Sequence, residues 1–108
     1  MSTHVAMPPR DAEGYLIEPQ QWNEDVAEAI ARELGIELQP DHWDVIRFMR
    51  RFYEERQVAA DARFVIWHLD ERYPDQGRKR LFELFPYGYV GQACKVAGMK
   101  RPRAWSTG

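Results

Sequence analysis

Cys94 is the only thiol in the 108-residue sequence, and it is the one side chain here that can act as a sulfur nucleophile. Lys95 follows it directly, and Lys100, Arg101 and Arg103 lie within reach of a short tail. Positive charge beside a thiol favours the thiolate, the form that attacks disulfides and persulfides. The competing reading is an inert, buried small apolar residue. A single cysteine cannot close an internal disulfide. The three histidines, His4, His42 and His68, have neither a second thiol nor the spacing of metal ligands, so no metal site and no cofactor is expected. His42 and His68 titrate near neutrality but have no serine, cysteine or acid at a spacing that makes a catalytic set, which favours structural roles. Glycine-rich phosphate loops, paired catalytic carboxylates and nucleophile elbows do not occur. The expectation is a component acting through partners and not a stand-alone enzyme.

Charge is distributed unevenly. From Arg78 onward the sequence carries a net +6, and the part before it a net −8. A basic end on an acidic body points to an acidic protein cleft or to nucleic acid, with Arg78, Lys79 and Arg80 the residues for the nucleic-acid alternative; a solvated charged face is the plain reading. The acidic body weighs against nucleic acid. Of the four tryptophans, Trp22, Trp43 and Trp67 fall at helix starts or within helices and are expected in the core. Trp105 falls in the tail, where docking into a partner pocket competes with packing back on the domain.

These residues need a frame. One domain suits the length and the 44% hydrophobic content. No apolar run reaches the roughly 18 residues of a membrane span and no secretory signal opens the sequence, so a soluble, cytoplasmic protein with no membrane partner is expected. Residues 1–10 read as a loose leader, 11–98 as the domain and 99–108 as a C-terminal arm. Gly14 before Tyr15-Leu16-Ile17 suits a small strand or hairpin. Asn23 caps a first helix in which Val26, Ile30 and Leu34 recur until Gly35. A second helix begins at Pro40 and carries Trp43, Ile46, Met49 and Tyr53 on one side. Asp61 caps a third, closed by Pro74; Leu81 to Phe85 form a short fourth; Val90 to Ala97 supply one or two further turns ended by Gly98.

The order of these segments resembles the TusE/DsrC family of sulfur relay proteins from Asp11 to Pro102. The resemblance rests on Glu13-Gly14-Tyr15-Leu16 and Trp22-Asn23, on Gly35-Ile36-Glu37-Leu38, His42-Trp43 and Val45-Ile46-Arg47-Phe48, and on Phe52-Tyr53. It continues through Leu84-Phe85-Pro86, Gly88 and Gln92-Ala93-Cys94-Lys95-Val96-Ala97-Gly98. It implies a mainly α fold: a small orthogonal helical bundle with a short N-terminal β-hairpin, some likeness to helix-turn-helix domains, and a flexible C-terminal arm that enters partner proteins. DsrC-type members serve dissimilatory sulfite reductase with two arm cysteines; TusE-type members keep the penultimate one and pass persulfide sulfur toward tRNA thiolation.

Cys94 matches the upstream arm cysteine, and the position eleven residues on, where the family has its penultimate cysteine, is Trp105. Tyr89-Val90-Gly91 replace the family's Pro-Ala-Lys, and the loop from Pro74 to Arg80 is shortened. Neither Ser106 nor Thr107 can form a persulfide. The implied function is binding of a sulfurtransferase or a dissimilatory sulfite-reductase-type partner through the arm, with Cys94 as persulfide or mixed-disulfide site. Lys95, Lys100, Arg101 and Arg103 would orient that arm and Trp105 anchor it. The alternative is a regulatory protein that senses sulfur or redox state without relay chemistry, or that binds nucleic acid.

Overall fold

The computed structural model describes residues 6–101. Five α-helices form among them: α1 (Glu24–Glu33), α2 (Pro40–Arg56), α3 (Ala62–Asp70), α4 (Gly77–Leu84) and α5 (Cys94–Val96). A 3-10 turn at Pro19–Gln21 precedes α1, and a π-helical turn at Tyr89–Ala93 leads straight into α5.

Local chemistry sets most of the boundaries. Asn23 caps α1 by accepting from the Val26 N–H at 2.8 Å, and Asp61 caps α3 by accepting from the Arg63 N–H at 2.9 Å. Gly35 ends the α1 turn at φ +74°, a left-handed conformation that favours glycine. Pro40 occupies the first position of α2, where its missing N–H has no helical partner in any case. Gln39 and His42 cap that helix reciprocally: the Gln39 N–H donates to His42 Nδ1 at 2.9 Å. α4 begins at Gly77, four residues before the apolar run that marks it in the sequence, because Asp70 Oδ1 accepts from the Gly77 N–H at 2.8 Å. A Cβ at Gly77 would strike the Ile66 carbonyl, so only glycine lets α4 start this close to α3.

The expected N-terminal hairpin does not form. No strand occurs among the described residues; a single antiparallel bridge joins Arg10 to Leu16. Pro8 and Pro9 have no N–H to extend a ladder on that side. The carboxylate of Asp11 meanwhile accepts from the N–H groups of Glu13 and Tyr15, which winds the segment into a tight turn.

The core is a single cluster. Val26 and Ile30 of α1, Val45, Ile46 and Met49 of α2, and Val65 and Leu69 of α3 are fully buried, as are Phe85, Tyr89, Cys94 and Met99 at the C-terminal end. Trp67 departs from the core position expected of it. It lies 58% exposed on α3, edge-on to Phe64, because Val65 and Leu69 take the inward face of that short helix.

Candidate functional site

The segment around Cys94 owes its shape to the π-helical turn. Gly88 opens it at φ +104°, and the Cys94 N–H closes it on the Tyr89 carbonyl, five residues back. In an α-helix, side chains five apart diverge by about 140°. The wider turn brings Tyr89 and Cys94 to the same side, with the phenol beside the sulfur. The Tyr89 hydroxyl donates to the Ala60 carbonyl, which ties this turn to the connection between α2 and α3. The Tyr15 hydroxyl donates to the Val90 carbonyl at 2.9 Å from the N-terminal turn.

The thiol environment differs from the one the neighbouring cations suggest. Cys94 is fully buried, and burial pushes its pKa up to about 12; the Tyr89 hydroxyl pulls the other way without offsetting it. Lys95 gives no help. Successive helical side chains point about 100° apart, and the Lys95 ammonium instead sits 5.1 Å from the centre of the Tyr15 ring, against Gly14. In the described conformation Cys94 is a neutral thiol in a packed interior.

The residues that follow α5 are held on several sides. Met99 is fully buried, and its N–H donates to the Cys94 carbonyl at 2.9 Å. The Trp22 indole N–H donates to the Val96 carbonyl at 2.8 Å. Arg50 of α2 is half-buried, with its guanidinium carbon 4.6 Å from the centre of a Trp22 ring. It donates to the Ala97 carbonyl at 3.1 Å, to the Gly98 carbonyl at 3.5 Å and to the Pro19 carbonyl at 3.0 Å. Gly98, at φ +76°, lies so close to the Trp22 ring that no Cβ fits. Beyond it Arg101 pairs with Glu13 at 2.7 Å, and Lys100 is exposed. Arg103 and Trp105 lie outside the described residues.

The three basic residues singled out for nucleic acid separate in space. Arg78 and Lys79 are exposed, whereas Arg80 turns inward to donate to Asp41 Oδ2 at 2.8 and 3.0 Å and to Glu83 at 3.1 Å. Asp41 also accepts from Tyr73 at 2.5 Å and from Arg72 at 3.1 Å, and these donors hold its carboxyl below the usual range. His42 donates from Nε2 to the Leu84 carbonyl at 2.8 Å, while burial lowers its pKa. His68 meets Asp44 at 2.9 Å and stacks on Phe48. Both histidines are thus engaged structurally. No group of three or more His, Cys, Asp or Glu side chains suited to a metal ion occurs among the described residues, and no helix there is long and apolar enough to cross a membrane.

Residues 5–104 match the family model described as DsrC-like protein. The chain belongs to the DsrC-like family. Sulfurtransferase TusE of Escherichia coli is 42% identical over 94 residues, which span 85% of this chain and 86% of that protein. TusE of Salmonella typhimurium is 43% identical over the same shares. Among solved structures, the oxidized gamma-subunit of dissimilatory sulfite reductase (DsrC) from Archaeoglobus fulgidus superposes with a TM-score of 0.82 at 32% identity, over 90% of each chain. DsrC of Allochromatium vinosum gives 0.77 at 38% identity, over 88% of this chain and 87% of that one. The mainly helical fold is therefore the family's, with Cys94 at the start of the last helix among the described residues.

Arg50, Trp22, Tyr15 and Tyr89 carry this site without having been marked as functional from the sequence. Arg50 was readable only as one of several arginines on α2. The sign that sets it apart is its place one residue after the buried Met49, on a flank of the helix that packs against other segments.

Proposed function

We propose that the chain is a cytoplasmic component of a sulfur relay, docking through its basic C-terminal arm on a sulfurtransferase or a sulfite-reductase-type partner and receiving sulfane sulfur on Cys94 when the arm's root opens. The observation that carries this reading is the presence of the one thiol at the root of the arm on a fold shared with DsrC over 90% of the chain. In the transfer, the Cys94 thiol loses its proton to solvent and the thiolate attacks the outer sulfur of a donor persulfide. The new bond joins Cys94 Sγ to that sulfur as the donor's S–S bond breaks, and the donor leaves as a thiolate. No net oxidation is required. Lys100, Arg101 and Arg103 steer the arm toward an acidic cleft, Lys95 supports its root, and Trp105 anchors it in place of the family's penultimate cysteine.

Incubation with a persulfide-loaded sulfurtransferase, followed by intact mass spectrometry, tests the chemistry. The expected result is a reductant-labile gain of sulfur that disappears in Cys94→Ser. Absence of any gain at Cys94 in the presence of donor and partner overturns the carrier role. A second reading drops the relay chemistry, which the buried, neutral thiol opposes: a regulatory subunit that binds the partner, with Cys94 modified by sulfur or oxidant only once it is exposed. Retained partner binding by Cys94→Ser, with loss of the response to sulfide or oxidant, distinguishes it.

A further inference from the structure

Four carbonyls meet at one corner of the molecule: Pro19 ahead of α1, and Val96, Ala97 and Gly98 at the end of α5. The last carbonyls of a helix need donors from outside it. Here one indole N–H and one guanidinium supply them, and they come from two different parts of the chain. Arg50 has no carboxylate within 4.0 Å among the described residues, so its charge is spent on main-chain oxygens and on the Trp22 face. Only a planar fork with several N–H groups can bridge Pro19 to both Ala97 and Gly98 while lying on a ring. Met99, the next residue, is fully buried in the same core cluster as Cys94, and its N–H donates to the Cys94 carbonyl.

We propose that Arg50 and Trp22 form a clamp that fixes the direction in which the arm leaves the domain and gates solvent access to Cys94, so that opening the clamp, and not unfolding the domain, exposes the sulfur. Arg50 is a positioning residue in this scheme, since it touches neither the thiol nor a donor. The inference rests on the reading of Cys94 as the sulfur-handling thiol, and it gives that reading a physical step: a partner that draws the arm away must first take Ala97 and Gly98 from Arg50. The corner responds to pull on the arm because the clamped residues are continuous with it.

The test is the rate at which Cys94 of the full chain reacts with a neutral aromatic disulfide, measured across low denaturant concentrations. Access through local opening is insensitive to denaturant, whereas access through global unfolding rises with it. Arg50→Lys keeps the charge but loses the fork, and it is expected to raise the denaturant-insensitive rate by about tenfold or more, as does the loss of a hydrogen bond from a charged donor in general. Trp22→Phe, which loses the bond to Val96 and part of the ring under Arg50 but keeps the fork, is expected to shift it in the same direction. Hydrogen exchange at the Met99 amide rises in parallel. Unchanged rates in both variants, or rates that follow the global unfolding constant, overturn the clamp. If the variants open Cys94 yet no sulfane sulfur is accepted from a loaded donor, the clamp stands and the relay reading falls.

Discussion

At Asp41 one carboxylate on the first turn of α2 accepts from Tyr73, Arg72 and Arg80, and so binds α2 to both sides of the α3–α4 connection. Asp41→Asn removes the charge that Arg72 and Arg80 share, leaving Arg80 with Glu83 alone. It is expected to lower stability by about 2–3 kcal/mol, read as a shift in the urea midpoint. The pH dependence follows from the sign of two shifts. His42 in the folded chain has its pKa below the ordinary value of about 6.5, so below that pH the unfolded chain takes up a proton the folded chain refuses. Stability is full above about pH 6.5 and falls as the pH drops. Asp41 is likewise held low, so a second decline sets in below about pH 4. Denaturation at a series of pH values should show both steps, with His42→Gln removing the upper one alone. Gly98→Ala forces a Cβ into the Trp22 ring at a positive φ, and a loss of about 1–3 kcal/mol is expected in the same measurement.

The helices show how much the sequence discloses and where it stops. Caps and apolar recurrence mark α1, α2 and α3, since Asn23 and Asp61 act through bonds two or three residues away and Pro40 suits a first helical position. The start of α4 was not legible, because its cap is Asp70, seven residues upstream and across a turn. The π-helical turn was equally hidden. Val90, Ala93 and Ala97 have the recurrence of an ordinary helix, and only the contacts of Tyr15 and Tyr89 with distant carbonyls account for the wider winding. Tyr15→Phe removes one of these contacts and is expected to cost about 1 kcal/mol. Faster amide exchange within Tyr89–Ala93 than elsewhere in the core would place that loss in the π turn, and uniform change across all helices would speak against it.

Over the whole molecule, the lone thiol was legible and its state was not. Cys94 stands out by being alone, but its state is set by the Tyr89 phenol beside it and by its burial in the core cluster. Charge counted along the chain suggested an activated thiol; burial, a property of the assembled core, overrides it. The native protein at pH 8 is therefore expected to react with iodoacetamide at least ~100-fold more slowly than the urea-unfolded chain. Comparable rates would mean that the core around the sulfur is open.

The tethers from Tyr15 to Val90 and from Trp22 to Val96 join residues 75 and 74 positions apart. Closures over such separations come late in folding, since the entropy of closing a long loop is lost before any contact rewards it. During synthesis the N-terminal turn and α1 emerge long before the carbonyls they are to hold, and Cys94 leaves the ribosome as an uncovered thiol. The newborn chain thus passes through an interval in which its sulfur meets the cell directly.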